Sequence, residues 1–191
     1  MKKSSWKQVA VAAGLCSLTT VANASFIATI PGNDCAGEFG GSFNDCKISA
    51  SFDPNQSPVI IKFDVNGSGN AFLAPEINTN LFPSIDGSEF SFTGTGSTGT
   101  WTYTAGPQDP IITFFVAKGG NFFNLFDNPA PLNTDTWSTP LNPNNQRPFG
   151  LSHLTFYDSG STPPQEIPEP GILALVGLGL LGIGAARRRK K

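Results

Sequence analysis

Imidazole, basic charge outside the two ends, methionine and helix-length patterning away from the ends are all scarce in this sequence. His153 is the only histidine of the chain. A general base needs a partner in reach, and the nearest serine in sequence, Ser152, falls on the opposite face of the same expected strand. His153 is therefore expected to be packed or surface-exposed. Ser97, in Gly96-Ser97-Thr98-Gly99, has Thr95 where a nucleophile elbow needs a glycine, which argues against a hydrolase of that type. With one methionine and few long aliphatics outside the terminal segments, sixteen phenylalanines are left as the main core formers. Their runs are short and separated by Gly, Pro, Ser, Thr and Asn, which points to strands and excludes a helical domain.

The ends are different. Lys2, Lys3 and Lys7 precede a small, apolar stretch from Val9 to Val21, and Ala22-Asn23-Ala24 supplies small residues at the two positions a signal peptidase reads. Residues 1–24 are expected to be a secretory signal peptide, cut between Ala24 and Ser25. Cys16 lies inside the apolar run behind bulky Leu15, so it is read as a discarded residue and not as a lipid-modified one. At the other end Pro168-Glu169-Pro170 is followed by an uncharged segment, Ile172 to Ala186, and then by Arg187, Arg188, Arg189, Lys190 and Lys191. The two prolines fix φ, remove donors and keep Glu169 on extended backbone. Residues 172–186 as a helix would span about 22 Å against a hydrocarbon core of about 30 Å. Their Ile, Leu and Val side chains supply about 4 kcal/mol of insertion energy, and the five cations resist crossing and prefer the cytoplasmic side. Such a span is a loose anchor, helped by basic side chains snorkelling to the interface.

With both ends set aside, only Lys47, Lys62, Lys118 and Arg147 stand against all fourteen acids, a formal charge of −10 for residues 25–170. Little basic surface is left to neutralise phosphates, so a nucleic-acid partner is not expected. Acidity of this kind favours solubility and is first of all a solvated surface.

The tripartite tail, residues 168–191, resembles the PEP-CTERM sorting signal of Gram-negative bacteria. Pro168, Glu169 and Pro170 match its motif and Arg187 to Arg189 its basic cluster. The resemblance implies recognition by the membrane protease exosortase, a transient membrane anchor, and delivery to the cell surface or extracellular matrix, often in bacteria that make exopolysaccharide. Signal peptidase and the secretion machinery are the other implied processing partners.

Between the ends, residues 25–158 are long enough for one domain with its own core, and residues 159–167 form a polar, Pro-containing linker. Cys35 and Cys46 are the only cysteines of this part. An even pair in an oxidising compartment is expected to form a disulfide, contributing about 3 kcal/mol in the chain-entropy account. Strands are expected at residues 47–52 and 59–65, the latter ending at Asn66-Gly67. A hairpin is expected from residues 89–93 through a Gly/Thr/Ser loop to Thr100–Thr104, with Trp101 and Tyr103 on one face. A second, central hairpin is expected where two apolar runs, residues 111–117 and 121–126, flank Gly119-Gly120. Residues 151–157 are read as the last strand. The stretch from Trp101 to Phe126, with its Trp-x-Tyr, Asp109-Pro110 and Lys118-Gly119-Gly120-Asn121 turn, is also similar to the ectodomains of a set of PEP-CTERM proteins, a similarity that brings no assigned activity.

The expected fold is a single antiparallel β-sandwich, jelly-roll-like or Ig-like. The expected function is that of a non-enzymatic surface or matrix protein, associated with exopolysaccharide. A carbohydrate-binding module is the alternative, with Trp101, Tyr103, Trp137 and Tyr157 as candidates for stacking on sugars or, equally, for the core. A secreted glycoside hydrolase would need two converging carboxylates, and no pair of acids is singled out. No cofactor or metal is expected. The loop Asp64-Val65-Asn66-Gly67-Ser68-Gly69-Asn70 has oxygen side chains at alternating positions as in a calcium loop, but Pro75 stands at the twelfth position, so a strand-ending turn is the preferred reading.

Overall fold

A computed structural model describes residues 24–67, 71–129 and 133–159. Among these residues nine strands run in the order β1 (Ser25–Pro31), β2 (Val59–Asp64), β3 (Glu76–Ile77), β4 (Phe90–Thr93), β5 (Thr98–Tyr103), β6 (Ile112–Gly119), β7 (Phe122–Asp127), β8 (Thr134–Ser138) and β9 (His153–Asp158). A single helical turn, Asp34–Glu38, follows β1. The described part of the chain is all-β, and every strand pairing within it is antiparallel.

The strands form a six-stranded sheet in the order β1-β7-β6-β9-β2-β3 and a three-stranded sheet in the order β4-β5-β8. The sheets pack face to face. Trp101 of β5 sets its ring 5.4 Å from that of Phe115 on β6 and 5.3 Å from that of Phe156 on β9. Phe115 in turn stacks on Phe126 of β7 at 4.7 Å. Such aromatic pairs add about 0.5–1.5 kcal/mol each beyond the area they bury.

The six-stranded sheet is covered on its other face as well. The segment between β1 and β2 folds across it and buries Phe39, Phe43 and Ile48 against Val59, Val116, Phe123, Leu125 and Tyr157. This double cover explains why β9 is buried at every position, and why β6 and β7 are mostly apolar, with Thr113, Lys118 and Asn124 as their polar interruptions. The three-stranded sheet has one wet face. In β8, Asp135 and Trp137 point inward while Thr134, Thr136 and Ser138 are exposed.

The β4–β5 hairpin and the β6–β7 hairpin stand where the sequence places them. The central turn is displaced by one residue. Gly119 pairs with Phe122, so the two loop residues are Gly120 and Asn121, with Gly120 at φ +58° supplying the left-handed conformation. Residues 47–52 are not a strand. Lys47 makes one isolated bridge to Pro58, and Phe52 and Asp53 donate back to the Ser49 carbonyl in tight turns, as a crossing segment requires. Three strands went unforeseen: β1, β3 and β8.

Candidate functional site

Among the described residues a group of ionisable side chains gathers where the Asp34–Glu38 turn meets the covered face of the six-stranded sheet. Register sets Lys118 of β6 opposite His153 of β9, and Asp64 of β2 on the other side of the same histidine. Asp34 is lowered onto them from the turn. His153 Nε2 lies 2.9 Å from Asp34 Oδ1, and Thr155 Oγ1 donates to Asp34 Oδ2 at 2.6 Å. The Tyr157 hydroxyl donates to the same oxygen at 3.4 Å and sits 3.6 and 3.5 Å from the sulfurs of Cys35 and Cys46.

Burial of Asp34 pushes its pKa up, but the hydrogen bond and charge of His153, the Thr155 hydroxyl and the Cys35 backbone outweigh it and hold the carboxyl well below the usual range. An ionised Asp34 accepts, so His153 Nε2 carries a proton. Full burial, with the negative charge and hydrogen bond of Asp34 behind it, pushes the Tyr157 hydroxyl well above its ordinary value. Burial draws the Lys118 ammonium down, partly offset by Asp34, and its Nζ donates to the Gly120 carbonyl at 2.7 Å. Lys62 is also desolvated, yet Glu76 at 2.8 Å and Asp64 at 3.6 Å raise it overall. A hollow of about 410 Å³ opens over this group.

The chemistry of the cluster is that of a fastener. Asp34 takes donors from three residues of β9, and this ties the crossing segment to the sheet at its polar end while Phe39 and Phe43 tie it at the apolar end. His153 has Asp34 on one ring nitrogen, and its Nδ1 lies 3.6 Å from Asp64 Oδ1. Among the described residues no serine bonds to either ring nitrogen; the Ser152 backbone bridges Lys118 and Val65 instead. Ser97 lies between β4 and β5, where its carbonyl accepts from Thr139.

Cys35 and Cys46 form the expected disulfide, S–S 2.07 Å and Cα–Cα 4.8 Å. Trp101, Tyr103, Trp137 and Tyr157 are all buried, at 0, 2, 2 and 0 % exposure, so none of the four is an exposed stacking platform. Ser68 to Asn70 of the Asp64 loop lie outside the described residues. Asp64 itself is engaged with Lys62 and His153, and its carbonyl accepts from Leu73 beside a Val65–Phe72 bridge, the pattern of a strand-ending turn. Among the described residues no group of three or more His, Cys, Asp and Glu is placed to hold a metal ion. Ala24 packs against the core and donates its backbone N–H to Asp135, and Ser25 opens β1. The rest of the expected signal peptide, residues 1–23, lies outside the described residues. So do Pro168, Glu169, Pro170 and Arg187 to Lys191. No helix among the described residues is long and apolar enough to cross a membrane, and segment 172–186 is not among them.

A comparison with known families decides the tail. The model of the PEP-CTERM protein-sorting motif matches residues 166–190. The chain carries that sorting motif. The PEP-CTERM motif makes exosortase the implied processing partner and a surface protein the implied product. No curated protein and no solved structure matches the chain.

Proposed function

We propose that this chain is a non-enzymatic surface or matrix protein, exported by the general secretory route, held briefly by a membrane helix at residues 172–186, and released to the surface by exosortase at the Pro168-Glu169-Pro170 motif. The observation that carries the proposal is the PEP-CTERM match over residues 166–190. The export of the folded part is supported by the Cys35–Cys46 disulfide, a bond that forms and persists in oxidising compartments. A structural role is supported by the engagement of the single histidine with two carboxylates. We read the two packed sheets as a β-sandwich that presents a stable surface within an exopolysaccharide layer.

The test is a substitution in the motif. Glu169→Ala and the triple change of Pro168, Glu169 and Pro170 to Ala should each trap the protein in the membrane fraction of a producing cell, as deletion of exosortase should. Release of the triple variant at the wild-type rate would refute the sorting step. The second reading, a carbohydrate-binding module, cannot use the four buried aromatics and needs another surface.

A further inference from the structure

The outward face of the three-stranded sheet and the seam beside it form a surface unlike the rest of the domain. Register pairs Thr98 with Ser138 and Thr100 with Thr136, and the four hydroxyls make no hydrogen bond to protein among the described residues. Residues alternate along a strand every ~6.6–6.8 Å on one face and strands lie ~4.7–4.9 Å apart, so these hydroxyls form a regular grid. At the edge of this grid β8 comes beside β1, the edge of the other sheet. A hollow of about 440 Å³ opens there, lined by the four hydroxyl residues, by Phe26 and Phe126, and by Ala24, the last residue before the expected cleavage point. A second hollow of about 510 Å³ shares Phe26, Thr98 and Ser138 with the first and is lined as far as Leu141. Each falls within the range of small-molecule sites, about 300–1,000 Å³.

Phe26 is 53 % exposed, and its ring is held edge-on by Phe126 at 5.9 Å. A ring so held loses little freedom when a ligand stacks on it. Trp137 contributes to the wall, and its buried indole N–H meets no acceptor among the described residues. No charged side chain lines either hollow.

We propose that this seam binds a neutral polysaccharide, with one sugar ring seated on the face of Phe26 and neighbouring sugar hydroxyls exchanging hydrogen bonds with Thr98, Thr100, Thr136 and Ser138. An exposed aromatic ring suits the C–H face of a sugar, and hydroxyls that both donate and accept suit its rim. Neutrality follows from charge: the seam offers no cation to a uronate or sulfate, and residues 25–170 carry a formal charge of −10 that repels an acidic polymer. The two adjoining hollows, which share Phe26, suit consecutive units of one chain. The inference rests on the proposed function only for where the protein meets such a polymer.

The test uses the protein recovered from producing cells, mixed with insoluble neutral glucans (cellulose and curdlan) and with alginate beads as the acidic control. The wild type should be retained on at least one neutral glucan and not on alginate. Phe26→Ala should lower retention about tenfold, the equivalent of about 1.4 kcal/mol. The double variant Thr100→Val, Thr136→Val keeps shape and strand propensity and should lower retention as well, with an unchanged melting temperature as the check on folding. No retention on either neutral glucan, retention on alginate alone, or unchanged binding by both variants would overturn the proposal. A Phe26→Ala variant that changes the oligomeric state and leaves retention intact would make the seam a contact between copies, and would also overturn it. Surface delivery is read separately from cell fractions, so a protein that is delivered but does not bind refutes the seam alone, and one that binds but is never delivered refutes the sorting alone.

Discussion

The two sheets of this domain are built from similar residues and treated differently by water. The inner strands of the six-stranded sheet, β7, β6, β9 and β2, are buried on both faces, by the other sheet and by the crossing segment between β1 and β2. The three-stranded sheet is buried on one. Where both faces are covered, side chains of every position contribute to stability, and charge enters only when satisfied, as at Asp34, Lys118 and His153. Where one face is wet, stability rests on alternate residues and the others are free for recognition.

Substitutions at the shared core should break this comparison most severely. Phe156 touches the rings of Phe63, Phe90 and Trp101 from the double-covered sheet. Phe156→Ala is expected to cost about 3–5 kcal/mol, read from urea unfolding at neutral pH. Removing the second cover comes next. Replacing Cys35 and Cys46 together by Ser should cost about 3 kcal/mol in the same assay, because the crossing segment regains its freedom in the unfolded chain.

Asp34→Asn weakens the polar end of that cover. It keeps the shape and removes the charge that His153, Thr155 and Tyr157 share, with an expected loss of about 1.5–3 kcal/mol. The sign of the pH effect follows from the lowered pKa of Asp34. Its contribution is fully present above the ordinary carboxylate range and is lost as pH falls through that range toward the lower folded value. The wild type should therefore lose more stability than Asp34→Asn between pH 5 and the acid limit, as melting temperatures on the two proteins would read. Smallest of all is Thr100→Val on the wet face, expected to change unfolding free energy by no more than about 0.5 kcal/mol. A loss of several kcal/mol there would mean that the outer face of the small sheet is covered after all.

The same contrast explains what the sequence discloses. The β2 strand and both hairpins are legible because Val59–Phe63, Phe90/Phe92, Trp101/Tyr103 and the runs around Gly119-Gly120 are apolar where the sheets need them. Strand β8 is hidden because one of its inward positions is Asp135, which breaks the apolar alternation and is satisfied by backbone N–H groups of Ala24 and Thr136. A register shift between Phe26 and Ala28 disturbs the alternation of β1 in the same way. Residues 47–52 look strand-like because Ile48 and Phe52 pack inward from a crossing segment and not from a ladder.

The site was legible in part. The disulfide could be paired from two cysteines and a compartment, but its neighbour Asp34 meets His153 across 119 positions of sequence, and no local pattern joins them. The available signals were an Asp directly before a bridged cysteine and a lysine at the end of the apolar run of β6. Gly99 is another. A side chain there would collide with the Trp137 ring and the Thr93 carbonyl, so only glycine lets the indole lie across β5 and close the core beneath the hydroxyl face.

The central claim is that the folded part is exported, oxidised and cut free of its tail, and the intact mass of the protein from the surface or medium of producing cells tests it most directly. With exosortase present, the account predicts a chain that begins at Ser25, ends near Pro170 and is lighter by two hydrogens for the Cys35–Cys46 bond. Without exosortase the tail should remain. A surface form that still carries Arg187 to Lys191 in the presence of the enzyme would contradict the account, because the tail would then be only an anchor.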